Sequence, residues 1–138
     1  MKTLIEYITE SSANENRKEF MIIKPGFLDK RNEIIDYLKK NNVMIIRELR
    51  KKLTLSEAKK IYKMHNKEDF YDDLCKYMSS DDSIGFVLCN FGDKKMNDLK
   101  DAIRKRYGID EMRNAVHSSD SPLNAYRESK IYFSTPSL

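Results

Sequence analysis

Two rhythms of apolar and polar positions run along this chain, one fitting strands and one fitting helices. Phe20-Met21-Ile22-Ile23 is a short continuous apolar run ended by Lys24-Pro25-Gly26, which predicts a buried strand stopped at a turn, with Lys24 at the strand end. Ile34, Ile35 and Leu38 then fall at helical spacing, and Asn41-Asn42 closes that helix. From Val43 to Leu53 apolar and charged residues partly alternate, as in a strand with one solvated face. Thr54 with Glu57 three residues on is a capping box that opens a helix bearing Tyr62 and His65 on neighbouring turns. A second amphipathic segment runs from Asp69 through Tyr77, and Ser83 to Cys89 reads as a third buried strand. Met96, Leu99, Ala102 and Ile103 are in helical register between Lys94 and Tyr107, with Gly108 as the stop. The segment around His117 reads as a loop, Ser121-Pro122 starts a short helix to Glu128, and Ile131-Tyr132-Phe133 reads as the last strand. This order predicts an α+β fold, a ferredoxin-like βαββαβ sandwich on a four-stranded antiparallel sheet.

Composition changes this picture little. At 138 residues and 40% hydrophobic content the chain has the size of one domain, here residues 19–138 behind an N-terminal arm at 1–18. The arm is expected to hold a short helix through Leu4-Ile5-Tyr7-Ile8. No apolar run is long enough to span a bilayer and the first residues lack the pattern of a leader, so the expected setting is cytoplasmic. Cys75 and Cys89 have no metal-ligand spacing and read as core thiols. The net charge of +4, from 26 basic and 22 acidic residues, suits an anionic ligand without demanding one. The clusters Arg50-Lys51-Lys52 and Arg104-Lys105-Arg106 lack the interleaved aromatics of a base-stacking surface, which ranks nucleic acid last among partners. There is no G-x-x-x-x-G-K-[ST] loop to cradle phosphates.

The chemistry gathers at Arg113-Asn114-Ala115-Val116-His117-Ser118-Ser119-Asp120-Ser121, which holds one of the chain's two histidines. A neutral imidazole changes protonation near neutral pH and can also attack as a nucleophile. Together with MIIKPG at the first strand end, Tyr62 and Phe70, and the later Ala125 and Arg127-Glu128, this run resembles the nucleoside diphosphate kinases from about Phe20 to Phe133.

The resemblance implies a ping-pong reaction, in which a histidine takes the γ-phosphate of a nucleoside triphosphate and passes it to a nucleoside diphosphate. His117 matches the nucleophile. Glu128, eleven residues on, matches the glutamate that holds the other ring nitrogen, and Ser119 adds a hydroxyl behind it. Lys24 matches the lysine that meets the transferring phosphate and the ribose. Arg104, ten residues before Asn114, matches a phosphate-binding arginine ahead of a ribose-binding asparagine. Tyr62 matches a tyrosine supporting the lysine, and Phe70 the phenylalanine that packs on the base; stacking on one ring is nearly blind to base identity. Mg²⁺ is expected to arrive with the nucleotide, ATP among them, and not in a protein-held cage.

The sequence also departs from the pattern. Only three residues separate Lys100 from Arg104, where the family has a long loop with further phosphate contacts and contacts between dimers. The expected assembly is therefore a homodimer and not a hexamer. Lys100 stands where the family has another phosphate arginine. Arg106 is a candidate to reach the phosphates in place of the lost loop, set against a solvated charge at a helix end. Gly26 replaces an aspartate and Ser118 a glycine. The alternative reading is a catalytically weak or inactive nucleotide-binding regulatory module of the same fold. The deletion, Gly26 and Ser118 favour it; the joint presence of His117, Lys24, Arg104, Asn114 and Glu128 opposes it. His65 is left unassigned.

Overall fold

The apolar run after residue 19 forms a strand because both of its faces are covered. In the computed structural model, which describes residues 18–134, β1 (Lys18–Ile23) lies inside a four-stranded antiparallel sheet with β2 (Val43–Lys51), β3 (Ser83–Asn90) and β4 (Val116–Ser118), in the order β2-β3-β1-β4. Lys18 thus belongs to β1 and not to the arm; the helix expected through Leu4 to Ile8 lies outside the described residues.

Strand alternation splits the apolar residues into two layers. Met21 and Ile23 of β1 and Ile84, Phe86 and Leu88 of β3 face α1 (Arg31–Lys40) and α4 (Met96–Tyr107). Phe20 and Ile22 face α2 (Leu55–Ile61), α3 (Tyr71–Met78) and α5 (Pro122–Phe133). Each helix buries a stripe at the expected spacing: Ile34, Ile35 and Leu38 on α1, Met96, Leu99 and Ile103 on α4, Leu74, Cys75 and Met78 on α3. Ala102 falls off that stripe and is exposed. Both cysteines are buried thiols.

The capping box at Thr54 is present in full, its hydroxyl accepting from the Glu57 backbone and the Glu57 carboxylate accepting from the Thr54 backbone. The helix it opens stops at Ile61, so Tyr62 is its C-cap and His65 lies in a following 3-10 turn. Within the cluster at 50–52, Lys51 is tied down, donating to Glu57 (2.8 Å) and to the Tyr132 carbonyl (3.0 Å), while Arg50 pairs with Asp82 at the surface.

Two sequence expectations fail in the same region. His117 is not in a loop but in β4, which pairs with β1 through Ile22↔His117. Ile131-Tyr132-Phe133 is not a strand but the last turn of α5. Ser121 caps that helix and Pro122 starts it, and nothing breaks the stripe Ala125, Glu128 and Tyr132 that packs on the sheet. Packing overrides the strand propensity of the three terminal residues. Tyr132 is wholly buried, its hydroxyl sharing a hydrogen bond with Ser83 Oγ (2.9 Å), and its ring lies directly over Gly85 of β3. A Cβ at Gly85 would overlap that ring. Gly85→Ala is therefore expected to destabilise the fold by roughly 1–3 kcal/mol through overpacking, read as a lower urea midpoint; an unchanged midpoint would contradict the ring contact.

Candidate functional site

Sheet topology brings the motif residues to one place, because β4 pairs with β1 and so sets His117 close to the strand end that carries Lys24. The backbone N–H of Lys24 donates to the Ala115 carbonyl (2.9 Å) and that of Ser119 to the Phe20 carbonyl (3.1 Å), pinning both ends of β4 to β1. After Lys24 the chain reverses in a Lys24-Pro25-Gly26-Phe27 turn, closed by Phe27 N–H on the Lys24 carbonyl (3.1 Å). Gly26 sits in it at φ 91°, so glycine satisfies a left-handed turn position here. Ser118 needs no such freedom, being an ordinary strand residue. The left-handed residue is Ala115, at φ 80°, with Val116 N–H donating to the Asn114 carbonyl (3.0 Å) in a γ-turn. An alanine held there is strained by about 1–3 kcal/mol, and the strain turns the chain sharply between Asn114 and His117.

His117 is held by a wholly buried acid. Its Nε2 lies 2.5 Å from Oε1 of Glu128, and the Ser119 hydroxyl donates to the same oxygen (3.0 Å). A carboxylate can only accept, so Nε2 carries the proton and Nδ1 keeps its lone pair. Burial lowers the His117 pKa from the ordinary imidazole value, the nearby charges of Lys24 and Arg104 lower it further, and Glu128 works against them. The imidazole is accordingly neutral at neutral pH, as a nucleophile requires. Its ring packs edge-on against Tyr62 and Phe20, with centroids 5.0 and 6.5 Å away. Glu128 Oε2 has no hydrogen-bond partner among the described residues; the nearest cation is Arg127, at 3.7 Å. That guanidinium also donates to the carbonyls of Lys60 (2.6 Å) and Ile61 (3.2 Å), capping the end of α2 where Tyr62 sits.

A cavity of about 330 Å³ opens over the histidine, lined by Lys24, Tyr62, Arg104, Asn114 and His117, with His65, Phe70, Leu74, Glu111 and Met112 completing it. Lys24 is almost fully buried, donates from Nζ to the Met112 carbonyl (3.1 Å), and has its pKa brought down to about 7, chiefly by burial and then by Arg104. Arg104 projects from the last turn of α4 and donates from Nε to the Val116 carbonyl (3.0 Å). Two polar atoms of the lining residues are buried without a partner among the described residues, Tyr62 Oη and Asn114 Oδ1. Burial raises the Tyr62 pKa, which keeps the phenol a donor. A phenolic donor suits an anionic oxygen and an amide acceptor suits a hydroxyl, so a ligand carrying both would satisfy them.

The chain matches the family model for nucleoside diphosphate kinase over residues 17–92 and 90–138. It belongs to the nucleoside diphosphate kinase family. A nucleoside diphosphate kinase of Hydrogenovibrio crunogenus is 35% identical over 133 residues, covering 85% of this chain and 92% of that one. One from Methanosphaera stadtmanae is 34% identical, over 85% of this chain and 86% of its own. Among solved structures, the Aquifex aeolicus nucleoside diphosphate kinase superposes with a TM-score of 0.72 at 25% identity, covering 86% of this chain and 95% of that one.

Against the family pattern, the structure gathers Lys24, Tyr62, Phe70, Arg104, Asn114 and His117 around one cavity, with Glu128 and Ser119 behind the histidine. Lys100 is not among the lining residues; it donates to Asn97 Oδ1 (3.2 Å), one turn before Arg104, and acts on Lys24 only through its charge. Arg106 does not reach the site. Two residues beyond Arg104 it is turned by about 200° around the helix, and it lines a separate groove between α1 and α4 beside Tyr107. The helix α4 runs unbroken through residues 100–104, where the resemblance places a long loop. Sequence reasoning missed Leu74, Glu111 and Met112. Met112 contributes through a backbone carbonyl, which no side-chain pattern reveals. His65, whose ring centroid is 5.5 Å from that of Phe70, is a lining residue after all.

The depressed Lys24 pKa has a sign. Between about pH 10.5 and 7 the unfolded chain binds a proton at Lys24 that the folded chain does not, so folded stability falls as pH drops through that window. Lys24→Met removes this cost. Its stability advantage over wild type, measured by urea unfolding without ligand, is expected to grow from pH 10 to pH 7 to a few kcal/mol; an advantage independent of pH would contradict the burial.

Proposed function

We propose that this chain transfers the γ-phosphate of a nucleoside triphosphate to a nucleoside diphosphate through a phosphohistidine at His117. The observation that carries the reading is the contact of Nε2 with buried Glu128, which leaves Nδ1 as the unprotonated nitrogen beside Lys24 and Arg104. Nδ1 attacks the γ-phosphorus, the bond to the β–γ bridging oxygen breaks, and the nucleoside diphosphate leaves with that electron pair. The ring gains positive charge as the N–P bond forms, and Glu128 stabilises it through the Nε2 proton; Ser119 holds Glu128 in place, so both act as positioning residues. Lys24 and Arg104 meet the negative charge that spreads over the phosphoryl oxygens and the leaving group. A second nucleoside diphosphate then enters and reverses each step.

Within this reading Asn114 accepts from a ribose hydroxyl, Tyr62 donates beside Lys24, and Phe70, half exposed at the rim, offers a ring face to the base. Mg²⁺ would arrive with the nucleotide and would supply neutralisation of phosphate charge beside Lys24 and Arg104. The described residues contain no group of three or more His, Cys, Asp or Glu able to hold a metal. Lys100, beside the cavity and not in it, adds field to the phosphate end. No helix among the described residues is long and apolar enough to cross a membrane. A homodimer fits the edge strand β2, where Met44 and Ile46 stand about half exposed.

The decisive test mixes wild type and His117→Ala with γ-labelled ATP and Mg²⁺ and follows label on the protein. Acid-labile label on wild type alone, discharged by added nucleoside diphosphates, is the expected result. Wild type that binds nucleotide yet never carries label would overturn the phosphohistidine reading. Sedimentation of the intact chain at micromolar concentration is expected to give a dimer, and a monomer there would remove that part of the proposal.

A further inference from the structure

Ring faces do not distinguish nucleobases, so any base preference must come from polar groups at the same end of the cavity as Phe70 and His65. Lys24, Tyr62, Arg104, Asn114 and His117 are taken up by the phosphoryl and ribose chemistry argued above. Glu111 is the acid that remains. It lines the cavity, and no second carboxylate does so among the described residues. Its side chain is exposed and makes no hydrogen bond or ion pair with a described residue.

The segment that carries Glu111 is fixed. Asp110 Oδ1 accepts from the backbone N–H groups of Met112 (3.0 Å) and Arg113 (2.6 Å), and Asp110 Oδ2 accepts from the Arg113 guanidinium. The Glu111 carbonyl accepts from Asn114 Nδ2 (2.8 Å), which joins this turn to the cavity lining. Asp110 therefore takes the local donors, including the neighbouring arginine, and Glu111 is left with its charge unmatched on a rigid turn.

Resting on the reading of this cavity as a nucleoside diphosphate site, we propose that Glu111 reads the edge of the base and selects nucleotides whose base presents amino or adjacent N–H donors, guanine foremost. A carboxylate accepts and cannot donate. Guanine offers N1–H and the 2-amino group side by side, which match its two oxygens. Adenine and cytosine offer one amino group each. Uracil and thymine offer a single N3–H between two carbonyl oxygens, and those carbonyls repel the carboxylate. A site built to accept hydrogen bonds rejects a ligand that lacks the donors.

The test is the affinity of the full chain for GDP, ADP, CDP and UDP with Mg²⁺ by calorimetry, for wild type, Glu111→Gln and Glu111→Val. Because the Glu111 side chain is exposed, both variants are expected to fold. Wild type is expected to favour GDP over UDP by about tenfold or more, the size of one well-placed charged hydrogen bond at a partly open rim. In Glu111→Val the ratio is expected to fall to within about threefold, with UDP bound as well as or better than by wild type, and Glu111→Gln is expected to lie between. A flat wild-type series, or a GDP:UDP ratio that survives Glu111→Val, would overturn the proposal. The phosphohistidine label is scored separately: label with equal affinities sinks the base-reading role alone, and a Glu111-dependent ratio without label upholds it while the phosphoryl-transfer reading fails. Absence of binding by all four diphosphates sinks both.

Discussion

A carboxylate with no exposure to water must be matched by partners inside the protein, and Glu128 is that constraint here. Its partners, the His117 ring and the Ser119 hydroxyl, lie on and just beyond β4, while Glu128 belongs to α5. The interaction that fixes the His117 tautomer is therefore also the one that docks the last helix on the edge strand. Arg127, next in the chain, extends the same linkage by capping the carbonyls at the end of α2. That places Tyr62 against the imidazole. Loss of the acid would loosen a ring orientation, a helix position and one cavity wall together.

The site also holds a repulsion that a ligand can relieve. Lys24 and Arg104 stand near a neutral imidazole in a poorly solvated cavity, and each lowers its pKa. Lys24 itself sits near 7, so in the free protein it is poised between amine and ammonium. A polyphosphate would favour the ammonium, drawing a proton onto Lys24 as it binds. The neutral imidazole tolerates this because its own proton is on the far nitrogen, bound to Glu128. The γ-turn at Ala115 serves the same geometry, carrying the chain from Asn114 to His117 within three residues at the cost of a strained alanine.

Most of the frame was legible because local signals and packing agree. The capping box at Thr54, the stripes of α1 and α4, and the uninterrupted apolar runs of β1 and β3 follow from patterns that burial preserves. That His117, Ser119 and Glu128 come together was legible through a motif whose spacing survives in β4 and α5. What could not be read has specific physical causes. The run at 131–133 has strand composition, yet its place on the sheet is decided by Tyr132 packing over Gly85, a contact between residues far apart in sequence. Ala115 carries no mark of its positive φ, since a glycine or asparagine is the usual signal. Arg106 was a candidate on its charge alone; the continuation of α4 past residue 104, itself legible in the apolar spacing, turns Arg106 away from the cavity that Arg104 lines.

That continuation bears on how the cavity can work. Arg104 sits in the last turn of α4, where the helix carbonyls concentrate partial negative charge. This end of the helix attracts cations and repels phosphate, unlike the N-terminal sites that bind phosphate through backbone N–H groups. Under the proposed function the phosphates would therefore be held against an unfavourable helix end by side chains alone, chiefly Lys24 and Arg104, with Tyr62 adding a neutral donor. Arg106 on the opposite face, and Lys100 outside the lining, cannot add direct contacts without moving. With phosphate contacts confined to so few groups under the proposed function, a larger share of the total affinity would fall to the ribose and base. Phe70, half exposed, and Glu111, without a protein partner among the described residues, line the same cavity, and discrimination between nucleotides would then rest on such open positions.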